Sequence, residues 1–198
     1  MKQITVLSLV LLASTMMPAQ TAMFGFQATV AKPSGDVGDR NWIDGKLGVG
    51  LGAHALIPLR GGGALVPRID YTMYKNDWTS DAQVREEEKI NILSAGMDFH
   101  YYFSGQANEG FFVLAGLGYA SGKFDSSYSL NGLDMSVSAT KGAIYVQGGL
   151  GVQFNPLMGI EFSYQSLTFS DVETTYLGFT SRQDVSSPSL RASFVMHF

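Results

Sequence analysis

The sequence contains no cysteine, which excludes a disulfide framework, a thiolate metal site and the lipid-modified cysteine of a bacterial lipoprotein. It is also poor in positive charge, because 13 Lys and Arg residues stand against 17 Asp and Glu residues, for a formal net charge of −4. The basic residues are spread along the whole chain, so no basic surface is predicted for nucleic-acid phosphates. Nucleic acid is therefore not expected as a partner.

The first 22 residues have the pattern of a secretory leader. Lys2 precedes a mostly apolar run, Ile4 to Ala13, and small residues follow it. This run is about half of the roughly 20 apolar residues that a membrane-spanning helix needs, so an uncleaved anchor is the weaker alternative. The sequence predicts a cleaved signal peptide over residues 1–22 and one domain over residues 23–198.

After the leader, apolar residues alternate with polar or small ones, although 45% of all residues are hydrophobic. A period of two is typical of strands with one apolar and one polar face. In the last predicted strand, one face carries Leu190, Ala192, Phe194, Met196 and Phe198. Similar segments recur upstream, and one run, Phe111 to Ala120, is apolar or small on both faces. With that run included, the sequence predicts eight strands.

The predicted connections alternate in length. Short turns and long polar segments follow one another, the turns at residues 58–63, 104–109 and 155–156 and the long segments at residues 32–41, 75–88, 121–140 and 170–187. Short turns on the periplasmic side and long loops on the outside are the plan of a membrane barrel. The predicted fold is all-β, an eight-stranded antiparallel up-and-down transmembrane β-barrel with four long extracellular loops.

Alternation alone does not say which face of the wall points outward. The apolar faces carry near-unbroken rows of large side chains, which suit hydrocarbon. The charged faces also carry glycines, which suit a crowded, narrow lumen: Gly48, Gly50, Gly52, Gly96, Gly149, Gly151 and Gly159. We therefore predict that apolar side chains face lipid and that charges and glycines face the lumen. A soluble barrel of opposite polarity is the alternative.

The mature sequence resembles the small eight-stranded OmpA/OmpX-type outer-membrane β-barrel proteins. The most specific element is the last strand, where Phe194, Met196 and Phe198 share one face and look like the C-terminal assembly signal of that family. The resemblance implies export through the secretory pathway and an integral position in the outer membrane. It also implies contact with outer-membrane lipid or lipopolysaccharide, and the barrel assembly machinery as a partner.

Charged side chains of both signs project into the predicted lumen. They are Lys46, Arg68 and Arg191 against Asp70, Asp98 and Glu161, with His100 on the same face as Asp98. Isolated charges are costly in a narrow and poorly hydrated lumen, whereas paired ones are tolerated. We expect a salt-bridged layer that fills the lumen as a structural element. A gated ion path along the same residues is the alternative.

No catalytic site, metal site or cofactor is predicted. His54, His100 and His197 all face the lumen by alternation, so a lipid-facing Ser/His/acid site has no base. The last strand also lacks the His-x-Ser arrangement of the lipid A deacylases, which are the relevant enzymatic relatives. The glycines of Gly48 to Gly52 lie inside a strand pattern with no helix after it, so they do not form a nucleotide-binding loop.

The predicted function is therefore a structural or surface-interaction role, in adhesion or envelope integrity, through the long outer loops. Binding commonly occurs on such loops. Residues 75–89 are highly charged, and residues 121–140 are rich in Ser, Gly and Asp, so a surface ligand is an expected partner. A small-solute or ion conduit is the first alternative, and an envelope lipid-modifying enzyme is the second.

Overall fold

The computed structural model of the protein describes residues 22–38, 43–80, 84–130, 133–176 and 179–198, so residues 1–21 of the predicted leader lie outside it. The strands are β1 (Met23–Pro33), β2 (Gly48–Pro58), β3 (Gly63–Ser80), β4 (Val84–Tyr102), β5 (Gly110–Leu130), β6 (Leu133–Asn155), β7 (Met158–Tyr176), β8 (Phe179–Ser186) and β9 (Ser189–His197). A one-turn helix, α1 (Gly35–Gly38), follows β1, and a 3-10 turn (Arg60–Gly62) joins β2 to β3. No helix in the described ranges is long and apolar enough to cross a membrane.

The strands form a closed antiparallel ring. Each strand from β1 to β7 pairs with its neighbour in sequence, and β9 pairs with both β7 and β1. Strand β8 pairs with the outer half of β7, and only Ser187 and Pro188 separate it from β9. Pro188 lacks the amide hydrogen that a strand interior needs. Thus β8 and β9 together form the eighth wall strand, and the predicted eight-stranded barrel is confirmed.

The outer wall is apolar and the middle of the lumen is lined with polar groups, as alternation predicts. Leu51 and Ile144 point outward and are 71% and 74% exposed, whereas Asp98 points inward and is fully buried. Aromatic side chains are exposed at the short-turn end of the wall, namely Phe24, Phe26, Tyr101, Phe103, Phe154 and Phe198. Such an aromatic girdle marks a membrane interface. The predicted orientation of the two faces is therefore confirmed.

Three of the four segments predicted as long loops are instead strand extensions. Pairing continues to the tips of the hairpins, at Ser80 with Val84, Leu130 with Leu133, and Tyr176 with Phe179. The prediction is wrong because polar residues on both faces of a segment do not exclude a strand. A strand in water keeps its ladder hydrogen bonds whatever the polarity of its side chains.

Beyond the closed wall, strands β3 to β6 continue as one four-stranded unit, and β7 continues separately as a hairpin with β8. Tyr74, Ile90, Phe124 and Ala139 follow one another in register across it. We call residues 74–80, 84–90, 124–130 and 133–139 the outer sheet. Strand β2 pairs with β3 only as far out as Met73, and β7 pairs with β6 only as far out as Tyr145. In the described chain, both side edges of the outer sheet are thus free of strand partners.

Candidate functional site

Arg68, on β3, is the centre of a buried charged layer in the lumen. Its Nη1 lies 2.5 Å from Asp98 Oδ2 and 3.0 Å from Glu161 Oε1, and its Nε lies 3.2 Å from Asp70 Oδ2. These four side chains are at most 3% exposed. One guanidinium therefore joins carboxylates from three strands, β3, β4 and β7.

Two further predicted residues lie at the edge of this layer. Arg191 Nη2 is 3.8 Å from Asp70 Oδ1, and His100 Nε2 is 3.9 Å from Asp98 Oδ2. The structure therefore brings together six of the seven predicted lumenal residues. Two guanidiniums face three carboxylates, and each carboxylate is paired with Arg68, although one more negative than positive charge is present. Pairing of this kind is what makes buried charge tolerable.

Lys46 is not part of the layer, and its assignment to the lumen was wrong. The side chain is exposed, and its Nζ lies 3.3 Å from the carbonyl oxygen of Asp77. Strand β2 begins only at Gly48, so Lys46 lies in the preceding turn. Alternation assigns a face only within a strand, and Lys46 lies before its start.

Two glutamines complete the layer, and reasoning from charge alone passes over them. Gln27 donates a hydrogen bond to the carboxylate of Asp70 and accepts one from the guanidinium of Arg68. Gln147 Nε2 lies 2.7 Å from both carboxylate oxygens of Asp98. Both glutamines lie on inward faces of their strands, so alternation was the available sequence signal. Their amide groups donate hydrogen bonds to carboxylate oxygens of Asp70 and Asp98, which the two arginines alone do not fully satisfy.

The charged layer lies between two apolar clusters inside the barrel. Toward the periplasmic end is the inner plug, formed by Leu56, Ala64, Val66, Tyr102, Phe112 and Leu114. Toward the outside is the outer plug, formed by Ala31, Val37, Ile43, Tyr74, Ile90, Ile92, Ala120, Phe124, Ala143, Tyr145, Leu167, Phe169, Val172 and Val185. The expectation of a lumen lined by charges and glycines was therefore incomplete. The sequence signal of the inner plug is the run from Phe111 to Ala120, which is apolar or small on both faces. Phe112 and Leu114 of this run point inward.

The three histidines lie between the charged layer and the inner plug. The His54 and His197 rings meet edge to face, with centroids 4.9 Å apart, and the His100 ring stacks on Phe112 at 4.8 Å. The cavity that these histidines line together with Arg68 and Glu161 has a volume of only about 10 Å³. That is at most the space of one water molecule.

The residues of the predicted assembly signal lie on the lipid-facing side of the last strand. Phe194, Met196 and Phe198 are 42%, 50% and 69% exposed. The amide of Phe198 donates a hydrogen bond of 2.9 Å to the carbonyl of Phe24, and the rings of Phe26 and Phe198 stack with centroids 5.6 Å apart. The three side chains therefore lie beside the seam where β9 closes on β1.

Comparison with known proteins agrees with this architecture. The sequence model of the family described as "Outer membrane protein beta-barrel domain" matches residues 5–198. No curated protein sequence matches the chain.

Several solved structures share the fold. Neisserial surface protein A is 18% identical, with a TM-score of 0.57, over 92% of this chain and 100% of that one. A major outer membrane protein from Thermus thermophilus is 14% identical, with a TM-score of 0.56, and the match covers 90% of this chain and 100% of that one. The third structure is that of Ail, the attachment invasion locus protein of Yersinia pestis, in complex with the heparin analogue sucrose octasulfate. It is 14% identical, with a TM-score of 0.51, and the match covers 88% of this chain and 97% of that one.

Proposed function

Since this chain belongs to the outer membrane β-barrel family, we propose that it is a non-catalytic surface-interaction protein whose barrel anchors the outer sheet. Membership confirms the resemblance to OmpA/OmpX-type proteins and the integral position in the outer membrane. In this proposal, the outer sheet binds an extended segment of an extracellular protein. Lipopolysaccharide around the wall and the barrel assembly machinery, acting on Phe194, Met196 and Phe198, are the further proposed partners.

The observation that carries the proposal is the free edge of β6 in the outer sheet. A free edge presents unpaired N–H and C=O groups that pair readily with another strand. Residues 133–140 of this edge contain no lysine and no proline, the residues that proteins commonly use to block an edge, and Lys141 follows at the inner end of the unpaired stretch. Ser136, Ser138 and Thr140 are exposed there. The β6 edge is therefore open to pairing.

The opposite edge of the outer sheet is better protected. On β3, the exposed Lys75 forms ion pairs of 3.3 Å with both Asp77 and Glu87. The Lys46 side chain also lies 3.3 Å from the backbone carbonyl of Asp77, on the same strand. Charged side chains discourage pairing at an edge. This asymmetry favours β6 over β3 as the binding edge.

The contents of the lumen favour a surface role over a conduit. Arg68 and its carboxylates fill the centre, and apolar plugs lie on both sides of them. Two solved proteins of this fold are named a surface protein and an attachment invasion locus protein, which agrees with a role at the cell surface. The lumenal layer is proposed to hold the wall rigid beneath the outer sheet.

Selection from a displayed library of linear peptides tests the proposal directly. We expect enriched peptides to bind the detergent-refolded protein and to protect the amides of residues 133–144 from hydrogen exchange. Ser136→Lys places a charge on the open edge and should weaken their binding about tenfold. Ser127→Lys is the matched control, because Ser127 is exposed and directly opposite Ser136 but lies on the interior strand β5.

Two results would count against edge pairing. If Ser127→Lys weakened binding as much as Ser136→Lys, the peptide would lie on the face of the outer sheet. If protection appeared only outside residues 133–144, the β6 edge would not be the binding site.

A further inference from the structure

A long depression crosses the lipid-facing wall from β6 over β7, β9, β1 and β2 to β3. Its middle part, with a volume of about 760 Å³, is lined by residues that include Ala28, Leu51 and Phe194. Its outer part, with a volume of about 480 Å³, is lined by residues that include Lys32 and Leu190. The two parts share Val30, Phe162 and Ala192, so they are continuous. We call this depression the wall groove.

The floor of the wall groove is formed by small side chains among large ones. Ala28 pairs in register with Phe194, and Ala192 lies between Val30 and Phe162 on the neighbouring strands. Both alanines face outward. Both parts are open depressions rather than enclosed pockets, and they leave room for acyl chains to lie along the two alanines.

Lys32 lies at the outer end of the wall groove. It is exposed, and it pairs in register with Leu190, which in turn pairs with Tyr164. The rise from Phe24 to Lys32 is roughly 20 Å, at about 3.3 Å per residue and a tilt of about 40°. An apolar band of about 25 Å therefore places the Lys32 ammonium group near the outer interface. A tyrosine at the same height is typical of that position.

Resting on the proposed contact of the wall with lipopolysaccharide, we propose that the wall groove binds one phosphorylated, multiply acylated lipid of the lipid A type, with a phosphate at Lys32 and acyl chains over Ala28 and Ala192. Bulk lipid is as apolar as the groove, so the gain on binding comes from close packing and from the charge contact. On β1, β7 and β9, the described outward-facing positions on the periplasmic side of Lys32 carry no other charge. The cation is thus at the outer end alone, which is the end nearest the outer leaflet.

Native mass spectrometry of the detergent-refolded protein, incubated with bisphosphorylated lipid A, tests this proposal. We expect one lipid to be retained per chain. Lys32→Gln should lower the affinity about fivefold, the effect of one lysine near an anionic surface. Ala192→Phe fills the groove where its two parts meet and should lower it at least tenfold.

Matched controls come from the far side of the wall. Lys123→Gln removes an exposed lysine on β5, and Ala115→Phe enlarges an exposed alanine on the same strand, and neither residue lines the wall groove. Both should retain lipid A like the wild type. Each variant is also run on a denaturing gel with and without boiling. A difference in migration between the two samples shows that the variant forms a closed barrel.

Three outcomes would overturn the proposal. The first is equal retention of lipid A by the groove variants and their controls. The second is retention of phosphatidylglycerol as strongly as lipid A, which would remove the assignment to this lipid class. The third is a second copy of the chain bound in place of lipid and lost in Ala192→Phe.

Discussion

Arg68 and Glu161 lie on strands opposite each other in the ring, and their side chains meet inside it, with Arg68 Nη1 3.0 Å from Glu161 Oε1. The ion pair therefore crosses the full width of the barrel. A side-chain contact across the axis is expected of a narrow eight-stranded barrel, whose interior is just wide enough for side chains. It ties β3 to β7, although no backbone pairing joins them.

Removal of Arg68 should be the most damaging single change in the lumen. Arg68→Met leaves Asp70, Asp98 and Glu161 buried without their main cation, and we expect a loss of about 3–5 kcal/mol in the free energy of unfolding. Urea titration of the protein refolded in lipid vesicles, followed by tryptophan fluorescence, measures it. Lys123→Met, which breaks an exposed ion pair of 3.1 Å with Asp125, is the control and should cost at most about 1 kcal/mol. Equal losses for the two variants would be inconsistent with a stabilising lumenal layer.

The lumen should not conduct ions. The charged layer and the two plugs fill it, so planar bilayers containing the wild-type protein should show no stable single-channel steps, whereas an open porin run in parallel does. Stable steps that change in Arg68→Ala or Glu161→Ala would instead support the conduit function.

Two adjacent glycines on β6 should differ sharply in their tolerance of a methyl group. A Cβ on Gly149 would point inward, collide with the carbonyl of Phe162 and lie 2.8 Å from Ser163 Cα, whereas a Cβ on Gly148 points outward with its nearest atom 3.8 Å away. We expect Gly149→Ala to cost about 1–3 kcal/mol, because the clash is with backbone atoms. Gly148→Ala should change stability by less than about 0.5 kcal/mol. The same urea titration compares them, and similar values for both would rule out crowding as the reason for glycine at residue 149.

The contact between α1 and β8 should depend on pH. Hydrogen bonds from the backbone amide of Ser186, at 2.7 Å, and from its hydroxyl, at 2.8 Å, hold the pKa of Asp36 below its ordinary value of 3.8. A lowered pKa means that the contact stabilises the fold above pH 3.8 and loses this effect as the pH falls through the lowered value. The Ser186 amide proton, followed by NMR, should titrate with a midpoint below 3.8. The signal should not titrate there in Asp36→Asn, and a wild-type midpoint at or above 3.8 would contradict the assigned hydrogen bonds.

Much of the wall could be predicted because strand alternation is a local property. A side chain two residues from a known lumenal one lies on the same face of the strand. The lumenal position of Asp70 can therefore be inferred from that of Arg68, and the lumenal position of His100 from that of Asp98. Their meeting in one layer also needs the register between strands, which the turn positions approximate. Lys46 was misplaced because the same rule was applied outside a strand.

What could not be predicted depends on shape rather than on periodicity. Alternation shows that Phe112 and Leu114 can face inward, but only the diameter of the barrel decides that they pack into a plug. The outer hairpins escaped prediction because a strand in water needs no apolar face. Gln27 and Gln147 follow from alternation, because both lie on inward faces, but their place in the layer depends on hydrogen bonds that a pattern of charges does not show.

The outer plug separates the lumenal ion pairs from the hairpin tips. Substitutions at the tips therefore leave the buried ion pairs untouched. Tyr74, Ile90 and Phe124 belong to both the outer sheet and the outer plug, so the hairpins can vary in sequence beyond these residues without opening the barrel interior to water.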